Sequence, residues 1–453
     1  MKISEIIQNI EQKFDTKDLK YREVNLWLEF RNRFFYSLSI GKESNLVINS
    51  ALYLTVLKSF FYGFFYWFKS YDSWVFSSSL YRVKVEDKYF DKFFDYPAEK
   101  YGKSLFIELS TKAHYQRKNI YSKFIVSRSP LIILEKIISI FISLKKVDLS
   151  IIQDIQAEYG TSINPSYSAK KIISQYKVMK ILLFFKKTPK TVFIAPAYMS
   201  FGYVKALKEK KVKVVEVQHG VINQEHFGYN YYESFDANYF PDYLLTFGGQ
   251  EKEVFNELNT YISKDNIIPV GSYYIDYIIK NYQPTIDVSG YRLVFSVSLQ
   301  DCVIGNKLMS FLVAISETNK DCLFLLKPRR TEVSVYNDKF EFPSNVMFVE
   351  NKDVYQVILH SDFHITAYSS CALEAPAMGV KNILINIDNK AKDYYFNILN
   401  EETTHYLNTE QDFQDYINNV VVTKKSVVKS EHKKILKSNY QNNVDEFLEK
   451  FLE

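Results

Sequence analysis

Two histidines stand close together in the segment VVEVQHGVINQEHFGYN, Val214 to Asn230. His219 directly follows a run of β-branched residues that predicts a buried strand, and Glu225 and His226 lie in the continuing loop. An imidazole at a strand end can take a proton from a hydroxyl or, when protonated, hold a leaving phosphate. The alternative is that His219 only caps a backbone carbonyl and shapes the turn. Because loops at the carboxyl ends of strands often carry sites, we predict catalytic roles for these three side chains.

A carboxylate lies near the end of another predicted strand. Glu108 belongs to SLFIELS, Ser104 to Ser110, a short apolar run that ends in small polar residues. A buried carboxylate is costly unless it is paired, so Glu108 either emerges at the strand end or has a buried partner. We predict that it is a general base or the nucleophile of a double displacement, and the sequence leaves both roles open.

The second half of the chain carries small hydroxyl residues at a strand end. In HITAYSSCALEAPAMGVKNILI, Ser369 and Ser370 stand where a strand gives way to a predicted helix. Free N–H groups and hydroxyls at a helix start make a phosphate site. Glu374 lies one helical turn further and can accept both hydroxyls of a ribose. The plainer interpretation is a serine cap followed by a solvated glutamate.

A basic loop ends a neighbouring strand. The string LLKPRR places Lys327, Arg329 and Arg330 around Pro328, which stops the strand. These side chains form either a solvated turn or an anion clamp, since Arg forks suit phosphates and carboxylates. The second possibility predicts that this loop binds a phosphate or a carboxylate.

The elements that must position these residues alternate along the chain. Short apolar runs separated by helical patterns predict parallel sheets covered on both faces. The fold class is therefore α/β, with two Rossmann-like parallel-sheet domains facing a cleft and extra helices on the first. We predict an N-terminal Rossmann-like domain with helical insertions over 1–285, a C-terminal Rossmann-like domain over 286–430, and a terminal helix within 431–453. Ligands of such sheets bind outside the carboxyl ends of the strands.

The order of these motifs resembles that of GT-B glycosyltransferases. The strand, the hydroxyl residues, the helix bearing Glu374 and the string AMGVKNILI are similar to the nucleotide-binding element of that family. The strings QHG, HFGY, PDYLLTFG and IIPVGSYYID resemble the N-terminal half of GT-B enzymes of bacterial capsule and lipopolysaccharide synthesis. The resemblance covers residues 191–390. It implies that Glu374 holds the donor ribose, that Ser369, Ser370 and backbone groups hold phosphate, and that the basic loop lies beside the donor.

The resemblance also implies an activity. The protein is expected to move a sugar from a nucleotide-sugar donor, which is a substrate and not a cofactor, to a surface polysaccharide or glycolipid. The sequence has no Asp-x-Asp motif, so no metal is expected. Three cations in one loop favour a donor with its own carboxylate, such as CMP-Kdo or a CMP-sialic-type acid, while UDP- and GDP-sugars stay open. The alternatives are a CDP-glycerol-type polyol-phosphate transferase and a non-catalytic sugar-binding or scaffold subunit.

The composition limits the partners, the metal sites and the cellular location that can be expected. The net charge is only +5, and no Lys/Arg run or known recognition module points to nucleic acid. Three cysteines, Cys302, Cys322 and Cys371, are too few for a disulfide framework or a zinc site. The N-terminus lacks the apolar core of a secretory signal, so we expect a cytoplasmic protein.

Two apolar segments raise the question of a membrane. Leu46 to Phe68 and Ser129 to Lys146 approach the length of a span, but they carry Lys58 and the pair Glu135–Lys136. A central lysine costs roughly 2.5–3.5 kcal/mol on insertion scales. We therefore predict buried or interfacial helices, and peripheral association with the cytoplasmic face of the inner membrane.

Overall fold

The computed structural model describes residues 2–40, 50–111, 113–255, 257–283, 285–299, 303–328 and 336–452. The chain divides into two units. Unit 1 comprises Met1–Thr246, Lys252–Pro269 and Gln441–Glu453, and unit 2 comprises Phe247–Glu251 and Val270–Tyr440.

The strands of the described residues are β1 Lys20–Tyr21, β2 Val24–Asn25, β3 Ser73–Ser78, β4 Arg82–Val85, β5 Lys88–Asp91, β6 Ser104–Leu109, β7 Ile125–Ser127, β8 Thr191–Ile194, β9 Lys213–Val217, β10 Tyr243–Thr246, β11 Ile267–Pro269, β12 Leu293–Ser298, β13 Cys322–Lys327, β14 Val346–Phe348, β15 Phe363–Thr366, β16 Lys381–Ile385 and β17 Thr404–Leu407. The α-helices are α1 Ile3–Lys13, α2 Trp27–Ile40, α3 Ser50–Ser59, α4 Asp95–Tyr101, α5 Ser129–Phe141, α6 Ser150–Tyr159, α7 Pro165–Phe185, α8 Phe201–Glu209, α9 Glu251–Val254, α10 Tyr273–Lys280, α11 Val303–Thr318, α12 Val354–Leu359, α13 Cys371–Glu374, α14 Lys390–Tyr394, α15 Glu410–Asn419, α16 Lys425–Glu431 and α17 Tyr440–Phe451.

Unit 1 is built on a seven-stranded sheet in the order β11-β10-β9-β8-β3-β6-β7, in which every neighbouring pair is parallel. Its central strands are apolar on both faces because both faces are covered; Trp74 and Val75 of β3 are fully buried. Helices α2, α5 and α8 all pack against the long helix α7. The parallel arrangement brings the loops after β3, β6, β8 and β9 to the same edge of the sheet.

Unit 2 has a six-stranded sheet in the order β14-β13-β12-β15-β16-β17, again parallel throughout. The residues of β12 are all buried, and Phe295 of this strand stacks between Phe324 and Phe363 of its two neighbours. The loops that follow β12, β13 and β15 therefore leave the sheet side by side.

The predicted fold class of two parallel-sheet αβ units is confirmed. The sequence pattern missed β7 and β17, edge strands of three and four residues, because such short runs show no clear periodicity. The helix predicted over EKEVFNELNTY shrinks to α9, and the predicted terminal helix begins only at Tyr440. Asn439 interrupts that helix because its backbone is left-handed, with φ of 65°.

The apolar segment from Leu46 to Phe68 does not form one buried helix. Residues 46–49 lie outside the described residues, and the rest forms α3 and a 3-10 helix, Phe64–Phe68. Large side chains there, and near the end of α5, are exposed. In the described ranges, the helices fall short of the length and apolarity needed to cross a bilayer.

Candidate functional site

His219 lies two residues past the end of β9, at the carboxyl edge of the unit 1 sheet. Gln218 extends the ladder by donating its N–H to the Leu245 carbonyl at 2.9 Å, and its side chain donates to the Gly220 carbonyl at 2.9 Å. The His219 ring is half-buried, and its Nδ1 has no hydrogen-bond partner among the described residues. Burial, with the charge of Lys92, lowers the pKa of His219 to about 4. The imidazole is therefore neutral near pH 7 and can accept a proton.

The side chains of Glu225 and His226 already have partners, Glu225 at the N-terminus of the chain and His226 within the loop. Lys2 Nζ lies 3.1 Å from Glu225, and the Ser4 hydroxyl also donates to that carboxylate. His226 Nδ1 accepts from the Gly228 N–H at 3.1 Å, and burial lowers the pKa of this imidazole to about 3. These contacts shape the loop, and direct chemistry by either residue stays a prediction.

Aromatic side chains pack against the loop that carries these residues. The ring of Tyr198 contacts the rings of His226, Phe227 and Tyr229, with centroids 5.3–5.4 Å away. A Cβ on Gly228 would lie 2.5 Å from the Tyr198 ring, so this position needs a glycine. The absence of a side chain at Gly228 thus allows the backbone to lie close to the Tyr198 ring.

Glu108 is fully buried in β6, and both carboxylate oxygens are engaged. One accepts from Arg82 Nε, and the other lies 2.8 Å from His114 Nδ1. Burial alone would raise the pKa of Glu108, but the hydrogen bond from His114 and the charge of Arg82 outweigh it and hold the pKa below its ordinary value. Glu108 thus has the buried partners that its position required. Its predicted role as a reacting group stays untested.

Arg82 gathers further carboxylates around Glu108. Its Nη1 lies 3.6 Å from Asp95, and both terminal nitrogens donate to the Ser122 hydroxyl, at 3.3 and 3.2 Å. Asp95 accepts from Ser122 and from the Asp91 N–H. Burial raises the pKa of Asp95 to about 7 against the pull of Arg82, because one guanidinium cannot neutralise three buried carboxylates.

His114 is a candidate that the sequence analysis missed. It follows Glu108 by six residues in the loop after β6, and its ring stacks on Tyr62 with centroids 4.1 Å apart. A carboxylate that fixes one imidazole nitrogen leaves the other free to handle a proton. The Nε2 atom of His114 is buried and has no hydrogen-bond partner among the described residues. The His114 side chain is only 2% exposed and therefore does not reach solvent in this conformation. Its role here is to hold the Glu108 carboxylate at the edge of the sheet.

Glu216, in β9, is a second buried carboxylate beneath the same edge. It accepts from the Ala197 N–H at 3.0 Å, from the Tyr229 hydroxyl at 3.0 Å and from the Tyr261 hydroxyl. Burial raises the pKa of Glu216 to about 7, and no cation is among the causes of that shift. This network ties the loop after β8 and the loop after His219 to one strand. A charged residue inside an otherwise apolar strand was the signal that could have revealed it.

The basic loop of unit 2 begins at the end of β13. Lys327 pairs in register with Ser298 of β12, whose carbonyl accepts from the Thr366 hydroxyl of β15 at 3.3 Å. Lys327 Nζ donates to the Glu350 carbonyl at 2.5 Å, and burial lowers the pKa of this lysine. Buried His364 supports the edge by bonding the Ser298 hydroxyl at 3.2 Å. The other two predicted clamp residues, Arg329 and Arg330, lie outside the described residues.

Ser369 and Ser370 follow β15, which is separated by β12 from β13 and the loop that Lys327 begins. The Ser369 hydroxyl accepts from the Cys371 N–H at 3.3 Å, and its carbonyl accepts from Tyr395 at 2.5 Å. Ser370 stands at the N-cap of α13 without a side-chain bond to the helix. The predicted helix is only four residues long here, so the dipole contributes little to anion binding.

Glu374 is nearly covered, with 4% of its surface exposed, and its Oε1 accepts from the Tyr355 hydroxyl at 2.7 Å. The structure thus places Lys327 and the two serines at the carboxyl edge of one sheet, at the ends of β13 and β15 with β12 between them. Glu374 lies one turn behind the serines and is bound to Tyr355. Ribose binding by Glu374 stays a prediction.

Comparison with known proteins identifies the fold to which this architecture belongs. Neither a protein-family model nor a curated protein matches the sequence. Among solved structures, CalG4, the calicheamicin glycosyltransferase, matches 85% of this chain and 100% of its own, with 11% identity and a TM-score of 0.50. The glycotransferase of kitacinnamycin matches 84% of this chain and 99% of its own, with 10% identity and a TM-score of 0.48. The UDP-GlcNAc 2-epimerase from Methanocaldococcus jannaschii matches 83% and 98%, with 11% identity and a TM-score of 0.48. At this identity the likeness concerns the fold alone, and the fold of this chain is GT-B.

Proposed function

We propose that the protein is a glycosyltransferase in which unit 2 binds a nucleotide-sugar donor and His219 of unit 1 activates the acceptor. The observation that carries the proposal is that chemically suitable side chains lie at the carboxyl edges of both sheets, where ligands of such sheets bind. A neutral, half-buried imidazole lies at the carboxyl edge of one sheet, and a lysine with two serines lies at the carboxyl edge of the other. The GT-B fold supports this division of labour.

In the proposed reaction the acceptor hydroxyl loses its proton to His219 as its oxygen bonds to the anomeric carbon of the sugar. The bond from that carbon to the donor phosphate breaks, and the nucleotide leaves with the electron pair. Lys327 and the hydroxyl and N–H groups at Ser369 and Ser370 bind the leaving phosphate, so the step is assigned no metal. Glu108 is given a supporting role, because its carboxylate is occupied by Arg82 and His114.

The donor is proposed to be a CMP-linked keto-acid sugar, such as a Kdo or sialic-type acid. A sugar carboxylate next to the phosphate would use the cation of Lys327 together with Arg329 and Arg330. The acceptor is proposed to be a surface polysaccharide or glycolipid, met at the cytoplasmic face of the membrane.

Nucleotide binding tests the donor assignment. Melting of the protein is measured with CMP, UDP, GDP and CDP, because a ligand at 100 times its Kd stabilises the folded state by about 2.7 kcal/mol. We expect CMP to give the largest shift and Lys327→Ala to abolish it. Lys320→Ala is the matched control, because Lys320 is an exposed lysine that precedes β13, at the opposite end of the same strand. If no nucleotide shifts the melting, or if both variants behave alike, the donor site is misassigned.

Product analysis separates the other functions. A CDP-glycerol-dependent enzyme would respond to CDP and form phosphodiester products, whereas the proposed enzyme forms glycosidic ones. A scaffold subunit would keep its cellular function when His219 is replaced by alanine.

A further inference from the structure

Three segments of unit 1 expose large apolar side chains, which a protein surface normally avoids in clusters. We call their exposed residues the apolar surface: Leu54, Leu57, Phe61, Phe65, Phe68, Ile137, Ile140, Phe141, Ile181, Phe184 and Phe185. Phe65, Phe141 and Phe184 are 80%, 81% and 82% exposed. Among the described residues, more than half of the large apolar side chains that are exposed belong to this set.

The three segments are neighbours in space. Helix α3 packs against α5, and α5 packs along α7. Lys186, next to Phe185, donates its Nζ to the carbonyls of Trp67 and Lys69, at 2.6 and 2.7 Å, which fixes the end of α7 beside the 3-10 helix Phe64–Phe68. Side chains of α5 and α7 also line one cavity of about 450 Å³, with Phe141 and Ile181 in its wall. The exposed residues therefore form one surface.

Lysines surround this surface and acidic residues are scarce. Seven lysines and no acidic residue lie between Pro165 and Lys190. Lys171 of this segment pairs with Glu29, but the other six form no ion pair in the described part of the chain. Around α5 stand Lys136, Lys145 and Lys146. Of the carboxylates near them in the chain, Glu135 is bound by the Tyr203 hydroxyl and Asp148 accepts from the Ser150 N–H at 2.9 Å.

The cavity between α5 and α7 is lined by both apolar side chains and cations. Ile138, Phe141, Ile173 and Ile181 give it apolar walls. The cations in its lining are Arg22, Lys177 and Lys180, and its one carboxylate, Glu23, accepts from the Tyr176 hydroxyl at 3.1 Å. Apolar walls with ammonium groups suit an acyl chain that carries a phosphate headgroup. A bilayer surface offers that combination, since it pairs hydrocarbon with anionic headgroups.

We propose that the apolar surface docks unit 1 on an anionic lipid bilayer, with the phenylalanines entering the headgroup–hydrocarbon boundary and the lysines contacting lipid phosphates. The surface requires no spanning helix, because interfacial binding depends on buried apolar area plus charge. The inference rests on the proposed function in one respect, that a glycolipid acceptor would lie in the same membrane.

Sedimentation of the full chain with vesicles tests the surface. Vesicles of phosphatidylcholine alone are compared with vesicles that also contain phosphatidylglycerol. We expect binding to the anionic vesicles, weakened by salt. The double variant Phe184→Ser, Phe185→Ser should bind on the order of a hundredfold more weakly, from about tenfold for each lost ring. Lys187→Glu with Lys190→Glu should lose at least about twenty-fivefold, from about fivefold per charge.

The matched control is Phe396→Ser, which removes an exposed phenylalanine of unit 2 and should bind like the wild type. Equal binding by the control and the double phenylalanine variant would overturn the surface, as would a wild type that stays in the supernatant with both vesicles. A wild-type dimer that the double variant converts to a monomer, without vesicle binding, would overturn it in favour of a second copy.

Nucleotide melting shifts are measured on the same variants. A failed surface with intact CMP shifts leaves the transferase proposal standing, and lost shifts with intact vesicle binding leave the surface standing.

Discussion

Replacing Glu216 by glutamine should remove part of the pH dependence of the stability of unit 1. The carboxyl is fully buried, and burial raises its pKa to about 7 from its ordinary value of 4.5. A carboxyl with a raised folded-state pKa binds its proton more tightly in the folded protein than in the unfolded chain. Its stabilising contribution is therefore complete below pH 4.5 and is lost as the pH rises through about 7.

The size of the effect follows from the shift. At about 1.4 kcal/mol for each pH unit, the full contribution is about 3 kcal/mol, of which about 2 kcal/mol falls between pH 5 and pH 8. We expect the wild-type free energy of unfolding to fall by about 2 kcal/mol more over this range than that of Glu216→Gln. Asp95 also has a raised pKa, but it titrates in both proteins and cancels in the difference.

Guanidinium unfolding followed by tryptophan fluorescence measures this free energy for the right unit. All three tryptophans, Trp27, Trp67 and Trp74, belong to unit 1. Glu449→Gln serves as the control, because it makes the same substitution at an exposed position of α17. Parallel pH profiles for the wild type and Glu216→Gln would show that Glu216 is not protonated in the folded protein, and the reasoning from burial would be refuted.

Three further substitutions test other parts of unit 1. His219→Ala should lower sugar transfer by roughly 10²–10⁴-fold without moving the melting temperature, measured as nucleotide release from the donor; unchanged transfer would remove His219 from the reaction. Arg82→Met leaves Glu108, Asp95 and Asp91 without their cation and should cost roughly 3–5 kcal/mol in guanidinium unfolding, whereas a loss under 1 kcal/mol would contradict the network. Gly228→Ala should cost roughly 1–3 kcal/mol because its Cβ meets the Tyr198 ring. Gly220→Ala, with no atom within 4 Å, should be neutral, and equal effects of the two would refute the packing argument.

The positions of the candidate residues along the elements could be predicted from the sequence. Runs such as KVVEV and CLFLLK are nearly continuous in apolar residues, and continuous burial is a local property that a single stretch of chain reveals. The sequence alone therefore places His219, Lys327 and the two serines at strand ends. The edge strands β7 and β17 were not predicted, because runs of three and four residues are too short to show a pattern.

The sequence by itself determined which elements form and which residues stand at their carboxyl ends. Only the tertiary structure decided what those residues touch. Glu108 is paired with Arg82 and His114, and Glu216 with Tyr229 and Tyr261, because the fold brings these residues from outside the two strands into contact with them. Three separate segments likewise became one apolar surface. Periodicity is written in neighbouring residues, whereas the order of strands and the partners of a buried charge depend on contacts between residues far apart in the chain.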